Sequence, residues 1–472
     1  MAGMRLTTVM LFLIAGGLVM TASRFRSSSQ QHDLIAFDLI DLVNQEQAEL
    51  SANPEGYNYC QAPRPTLETY PDPKVKGATL VHSQLFIRHG DRTPIMALPL
   101  DLDVIWECSN SSAYTFTGPG YDSTEKSPYH YANVVAHQVV TIPAGSPFAS
   151  RLMWKGSCIP GQLTPLGALQ HRKLGAALRQ IYVDKLSFLP ETYNPDTLHI
   201  RSTDVWRTKQ SAENLMAGLY GVQGNSKIAT PPVLQIHTLP TEVDYLTINA
   251  GACPRIGQLR ANIEKTSEVL KRLKNDNIGF SKRLTRILGA EKPWSGYMDT
   301  ILPRICHNKP LQCRWDVNEG GSNHCVNESI ANRILDNVAI QTTEMYRDAQ
   351  GVFEILRLGM GPLASDIKDN LLAAKTQGKV RLSFYSGHDT TVLPLLGLFD
   401  ADDMRWPPYA SHILVELWKA PHEEHFVRVL YNQAVLLTKS NWCDLEWCPL
   451  ETFLTHLDRF ISKDFMAECQ RQ

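Results

Sequence analysis

Ten consecutive residues, Leu85-Phe86-Ile87-Arg88-His89-Gly90-Asp91-Arg92-Thr93-Pro94, constrain the fold of this chain more than any other stretch. Ala78-Thr79-Leu80-Val81 and Leu85-Phe86-Ile87 read as a buried strand. That strand runs into a turn carrying one histidine between two arginines. Gly90 allows the backbone to pass close to a ligand, and Pro94 stops any regular continuation. Guanidinium forks on both sides of a histidine can grip a planar or tetrahedral oxyanion, phosphate foremost. The plainer alternative is a basic strand end on an ordinary surface.

Two further strand ends are built in a similar way. Gly161-Gln162-Leu163-Thr164-Pro165 signals a helix start, with Thr164 as cap, Pro165 in the first helical position and apolar periodicity to about Leu186. A short strand, Thr197–Ile200, then leads into Arg201-Ser202-Thr203-Asp204. Asp204 is expected to cap a helix from Val205 to Leu219, which places Arg207 in a first turn where backbone N–H groups favour an anion. Val380–Tyr385 reads as a third strand, ending in Ser386-Gly387-His388-Asp389. Ile413–Trp418 and Phe426–Tyr431 alternate like a hairpin. Strands alternating with helices predict a doubly wound, mixed α/β sheet whose strand ends line one crevice, so that residues 88–92, 201–207 and 388–389 meet. Residues 225–375 are mostly helical by spacing, with helices over 254–275, 328–358 and 363–376. Insertions at about 95–160 and 225–330 are expected to cap the site.

The compartment is read from the ends and the cysteines. Residues 1–5 make a short tail, and residues 6–23 an apolar segment flanked by Arg5, Arg24 and Arg26. About 17 apolar, small or threonine residues just suffice to span a bilayer, which favours a signal anchor of type II orientation, with a cleaved signal peptide as the alternative. Residues 24–76 read as a proline-rich stem, and 77–472 as the catalytic domain. Either leader sends the body of the protein into the secretory pathway, where it faces the lumen or the outside. Ten cysteines agree with an oxidising compartment. A zinc cluster of Cys306, His307, Cys313 and Cys325 is the rival reading. Asn110-Ser111-Ser112 and Asn327-Glu328-Ser329 are glycosylation sequons. The formal net charge of −2 provides no basic face for nucleic acid.

These residues suit phosphomonoester hydrolysis. A neutral imidazole can attack phosphorus and form a covalent intermediate. Arginines neutralise the equatorial oxygens, and an acid must protonate the leaving oxygen. Arg88-His89-Gly90-x-Arg92-x-Pro94, the segment Gly161 to Gly167, Arg201-Ser202-Thr203-Asp204-x-x-Arg207-Thr208 and His388-Asp389 together resemble the histidine acid phosphatases, branch 2 of the histidine phosphatase superfamily. The resemblance covers about residues 78–470. It implies a phosphoglycerate-mutase-like fold with an inserted helical cap, His89 as the phosphorylated nucleophile and Asp389 as the proton donor. It further implies Arg88, Arg92, Arg207 and His388 as the phosphate pocket, with no metal or cofactor. Asp91 is given a local role holding the arginines, and Arg201 a supporting one. The tail resembles the family's and implies disulfides Cys443–Cys448 and Cys253–Cys469.

The layout of the N-terminal segment, Cys60 and the Cys306–Cys325 loop is similar to Golgi members that remove phosphate from xylose in the proteoglycan linkage region. That implies a sugar phosphate or phosphorylated glycan as substrate. A broad-specificity secreted or lysosomal-type enzyme, an inositol polyphosphate phosphatase and a catalytically silent luminal glycoprotein stay open, as does a homodimer.

Overall fold

Two apolar, partly β-branched stretches, Thr79–Val81 and Leu85–Ile87, with no glycine or proline between them, extend as strand β1 (Thr79–Arg88), which lies inside a mixed sheet. The computed structural model describes residues 57–96, 98, 104–109, 111–112, 154–221, 234–316, 322–376 and 378–470. The other strands are β2 (Leu198–Ser202), β3 (Leu382–Gly387), β4 (His412–Lys419) and β5 (His425–Tyr431). Their order is β5-β4-β1-β3-β2, with the short segments Ala434–Val435 and Cys448–Pro449 both pairing with β5. β1, β3 and β2 run parallel, whereas β4 is antiparallel to both β1 and β5. Arg88 lies opposite Gly387 and Ser202 opposite Ser386, so three carboxyl ends finish at one level.

Helices cover both faces of the sheet, as a doubly wound fold requires. On one face Leu85 and Ile87 pack with Leu174 and Leu178 of α1 (Pro165–Leu178) and Leu215 and Leu219 of α2 (Trp206–Tyr220). On the other, Phe86 stacks on Tyr385 and the Gln84 amide donates to the carbonyl of Ile367. The α1 and α2 backbones cross at glycines. A Cβ on Gly175 would stand 2.0 Å from the Leu215 carbonyl oxygen, and one on Gly218 would stand 2.0 Å from that of Arg172. Thr164 caps α1 by accepting from the Gly167 N–H, with Pro165 in the first position; beyond Leu178 the coil widens through Arg179–Lys185. Val205, not Asp204, stands at the N-cap of α2; Asp204 instead pairs at the surface with Lys209. In the chain between Thr203 and Val205 the capping position falls one residue later than expected.

The helical middle is cut differently from its spacing. The expected 254–275 helix is two, α3 (Pro254–Thr266) and α4 (Glu268–Asp276), because Ser267 turns out and caps α4 with its hydroxyl. α5 (Ile278–Leu288), α6 (Trp294–Cys306) and α7 (Glu328–Thr343) follow, with a small hairpin between α6 and α7. No break occurs at 359–362. α8 (Val352–Lys375) runs through Gly359-Met360-Gly361-Pro362, and the chain turns instead at Gly351, whose φ is +97°. Gly361 lets the helix press on the Phe460 carbonyl oxygen, which a Cβ would meet at 2.5 Å. α9 (Asp389–Leu398), α10 (Leu450–Asp458) and α11 (Phe465–Cys469) complete the set.

The described residues from Asn58 onward form one compact unit, so the expected boundary at 76/77 moves towards the N-terminus. Residues 58–76 are packed rather than a free stem. The Ala62 N–H donates to Tyr409, and Tyr70 is buried with its hydroxyl on Glu416. The disulfides are Cys60–Cys306, Cys108–Cys158, Cys253–Cys469, Cys313–Cys325 and Cys443–Cys448. They consume the thiolates that a zinc cluster at Cys306, Cys313 and Cys325 would need. The 1–23 segment, most of the proposed stem, much of the 95–160 insertion and Asn110 lie outside the described residues. Among the described residues no helix is long and apolar enough to cross a membrane. Asn327 is exposed and caps α7, its side-chain oxygen accepting from the Ile330 N–H.

Candidate active site

The site grows from the shared level of β1, β2 and β3. β1 ends in Arg88 and delivers His89; the turn after β2 carries Thr203 and leads into Arg207 of α2; β3 is followed by His388 and by Asp389, the first residue of α9. Gly90 is needed for a contact within the protein. A Cβ there would lie 2.4 Å from the carbonyl oxygen of Gly167 in the first turn of α1.

His89 is buried, and its Nδ1 stands 2.8 Å from the carbonyl oxygen of Gly90. A carbonyl only accepts, so Nδ1 carries the proton and Nε2 keeps its lone pair. Burial, then Arg207, Arg88 and Arg92, hold the His89 imidazolium form well below its usual range. Its ring meets that of His388 edge-on, with centroids 5.6 Å apart. This is a neutral, tautomerically fixed imidazole in a cationic surround.

The arginines are each anchored by a different element. The Arg88 guanidinium donates to the Pro407 carbonyl, pairs with Asp389 Oδ2 at 3.1 Å and lies 4.3 Å from the centre of the Tyr409 ring. Arg92 pairs with Asp299 of α6 at 2.6 Å, and the second Asp299 oxygen accepts from the Ile95 N–H. Burial works against the Arg92 charge, but Asp299, Tyr409 and Asp389 together outweigh it and keep the guanidinium firmly protonated. Arg207 donates to His388 Nδ1 at 3.2 Å; burial and the nearby Arg92 bring its pKa down to about 10. The Nε atoms of Arg88, Arg92 and Arg207 are buried without a hydrogen-bond partner, spare donors around a site that suits an oxyanion.

His388 Nε2 stands 2.9 Å from the Thr203 hydroxyl. Burial and Arg207 push its pKa down to about 3, with Asp389 opposing. Asp389 is buried, which raises a carboxyl's pKa, yet Arg88, Arg92, His388 and Arg207 together hold it below the ordinary range. The unliganded site therefore holds Asp389 as a carboxylate, whereas a proton donor must be an acid.

The residues singled out in the sequence thus converge: Arg88, His89, Arg92, Arg207, His388 and Asp389 share one set of contacts. Asp91 does not hold the arginines. Its Oδ1 accepts from the Thr164 hydroxyl at 2.7 Å and bonds His307 Nε2 at 2.5 Å, tying the turn after β1 to the start of α1 and the end of α6. Arg201 faces elsewhere, paired with Asp244 and Asp366 and stacked on Tyr245. Sequence reasoning missed Asp299 and Tyr409, which sit in segments with no pattern of their own, and read His307 only as a rival zinc ligand, not as the partner of Asp91. Thr203 lay inside a quoted motif, and a hydroxyl beside a strand end was the available signal.

Comparison with known proteins agrees with this geometry. The family model "Histidine phosphatase superfamily (branch 2)" matches residues 79–432. Counting factor 60 of Dictyostelium discoideum is 30% identical, over 87% of this chain and 92% of its own. Lysosomal acid phosphatase of Bos taurus is 28% identical, over 84% and 82%. Human 2-phosphoxylose phosphatase 1 is 25% identical, over 82% and 78%. Among solved structures, the phytase from Citrobacter braakii shares the fold, with a TM-score of 0.52 at 17% identity, over 84% of this chain and 100% of that one. With three quarters of its length matched and acid phosphatases among its relatives, the chain belongs to branch 2 of the histidine phosphatase superfamily, as a phosphoric monoester hydrolase.

Proposed function

We propose that the chain is an acid phosphatase in which His89 Nε2 attacks phosphorus, Arg88, Arg92, Arg207 and His388 hold the equatorial oxygens, and Asp389 protonates the leaving oxygen. The observation that carries this is the His89 Nδ1 contact with Gly90, which leaves Nε2 as a lone-pair nucleophile among three arginines. Attack makes the Nε2–P bond as the P–O bond to the leaving group breaks, and the leaving oxygen takes the Asp389 proton. Water then attacks phosphorus, its proton passing to the Asp389 carboxylate as the Nε2–P bond breaks, releasing inorganic phosphate and restoring the neutral His89 ring. Bound phosphate supplies the negative charge that offsets the arginines and lets Asp389 take up its proton.

The test is turnover of an aryl phosphate by the full chain between pH 4 and 8, with His89→Ala alongside. Metal-independent activity, highest at acid pH and lost in the variant, supports the reading; a His89→Ala protein with full activity sinks it. Trapping labelled phosphate on His89 in the Asp389→Ala variant tests the intermediate directly.

The substrate is read as a sugar phosphate, 2-phosphoxylose in the proteoglycan linkage region, with the sugar hydroxyl as leaving group, supported by the relative of that name and by the position of Cys60 and the Cys306–Cys325 loop. Turnover of a phosphoxylose glycan at least tenfold above that of simple alkyl phosphates is expected. Five disulfides support a secretory location. Within it we read residues 6–23 as a type II Golgi anchor, residues 24–57 as a stem, and Asn110 and Asn327 as glycan acceptors.

A further inference from the structure

Hydrogen-bond direction around His388 can be followed from both ends. At one end Arg207 is a donor only, so the His388 Nδ1 that it meets at 3.2 Å must accept. At the other end the Thr208 hydroxyl has two carbonyls to donate to, Val205 at 2.8 Å and Thr203 at 3.1 Å. Its single proton goes to one of them, so towards the Thr203 hydroxyl, 2.9 Å away, Thr208 can only accept. The Thr203 hydroxyl then spends its proton on Thr208, and towards His388 Nε2 at 2.9 Å it can only accept. Both ends require the same form of the ring, with the proton on Nε2 and the lone pair on Nδ1. The chain of hydroxyls is itself built in: Thr203 and Thr208 are buried, Thr203 N–H donates to the Ser386 carbonyl, and the Ser386 hydroxyl donates to the Thr208 carbonyl.

This has a consequence for ligand binding that rests on the phosphatase reading above. An incoming oxyanion draws the Arg207 donors to itself, and His388 Nδ1 is left facing anionic oxygen with a lone pair. Two acceptors repel. His388 can serve as a donor only after Nδ1 gains a proton from solvent, with Nε2–H still held by Thr203. We propose that the Thr203–Thr208 hydroxyl pair is the positioning device that holds His388 in its Nε2–H form, so that oxyanion binding is coupled to uptake of one proton at Nδ1. The groups facing His388 are Arg88 and His89 at the end of β1, Arg92 in the turn beyond, Arg207 on α2 and Asp389 on α9. The four cationic or imidazole neighbours oppose that proton in the empty site, and Asp389 favours it. Negative charge on the bound oxyanion shifts the balance towards that proton.

The test compares full-length wild type with Thr203→Ser and Thr203→Val. Nitrogen NMR of labelled histidines reads the His388 tautomer without ligand, assigned by its loss in His388→Asn. Calorimetry with inorganic phosphate, in buffers of different ionisation heat, reads proton uptake on binding. The wild type is expected to show the Nε2–H form. Thr203→Ser, which keeps the hydroxyl, should bind phosphate within about threefold of wild type with the same proton uptake. Thr203→Val should lose about 10- to 100-fold in affinity at acid pH, the scale of a hydrogen bond to a charged group, and take up about one proton fewer. Thr208→Val, which removes only the second hydroxyl, should move both readouts in the same direction by less, and serves where Thr203→Val does not fold.

An Nδ1–H form in the wild type overturns the proposal. So does a Thr203→Val or Thr208→Val protein with unchanged proton uptake, whatever its affinity, since a packing defect alone would lower affinity equally at every pH. A wild type that shows the Nε2–H form but neither binds inorganic phosphate nor hydrolyses phosphomonoesters overturns the phosphatase reading and the coupling with it, and is recognised because the tautomer is measured in the empty protein.

Discussion

In the mechanism proposed above, Asp389 is the residue whose proton decides the working pH. A carboxyl is an acid only below its pKa, and the arginines hold that of Asp389 below the ordinary range while the site is empty. The acid fraction of the free enzyme therefore falls about tenfold for each pH unit above that pKa. The expected outcome is a kcat/KM that declines with rising pH. Asp389→Asn should flatten this limb and reduce turnover of alkyl phosphates by about 10²- to 10⁴-fold, the usual contribution of a general acid. Nitrophenyl phosphate, whose leaving group needs little protonation, should lose much less; equal losses on both substrates would argue against a proton donor. Asp299 makes the second case. Asp299→Asn removes the carboxylate that grips Arg92 at 2.6 Å and should raise KM for small phosphomonoesters by about 10- to 100-fold with a smaller effect on kcat. An unchanged KM would show that Arg92 holds its place without α6. The difference in legibility between these two acids is physical. Asp389 follows a strand in a short pattern whose chemistry is local, so the sequence alone pointed to it. Asp299 comes from the middle of a helix in the inserted region, and only the folded chain brings it to Arg92.

Elements were legible where a local rule dominated. Thr164-Pro165 marked the start of α1 because cap and proline act within one turn, and the β1 and β3 strands showed as apolar runs between turn residues. Local rules failed where tertiary contact decided. Glycine and proline at 359–362 weaken a helix by propensity, yet α8 continues because its glycines admit close neighbours, the Ile248 side chain at Gly359 and the Phe460 carbonyl at Gly361. The same reasoning separates glycines of one residue type by their surroundings. Gly175→Ala and Gly218→Ala gain helix propensity, but each new Cβ meets a backbone carbonyl that cannot swing aside. Both should destabilise the protein by about 1–3 kcal/mol, read by denaturant titration. Gly257 in α3 has nothing within 4 Å of an added Cβ, and Gly257→Ala should stabilise by about 0.5–1 kcal/mol. Equal effects at all three positions would mean that the α1–α2 crossing does not depend on glycine.

At the scale of the molecule, the stretch read as stem turns out to brace the site from behind. Tyr409 lies against Arg88, and the chain at Tyr59 and Ala62 hydrogen-bonds the Tyr409 backbone on both sides. Between them Cys60 is bridged to Cys306, next to the His307 that bonds Asp91. Further along, Tyr70 joins Tyr182, Trp418 and Arg428 around the fully buried Glu416 carboxylate, and Arg428 also donates to the Pro71 carbonyl. Composition could not show this, because prolines and polar residues look alike in a tether and in an arm that is pinned at a few points. The pinning sets a contrast between two disulfides. Cys60–Cys306 closes a sequence separation of 246, and Cys443–Cys448 one of 5. A bridge over a longer loop restricts the unfolded chain more, so replacing Cys60 and Cys306 together by alanine should cost about 2–5 kcal/mol, and replacing the Cys443–Cys448 pair less. Only the first pair of substitutions should also lower kcat/KM, because it alone loosens the chain behind Tyr409 and His307. Parallel losses of activity in both double variants, at temperatures where both remain folded, would show that the arm stabilises the domain without positioning Arg88.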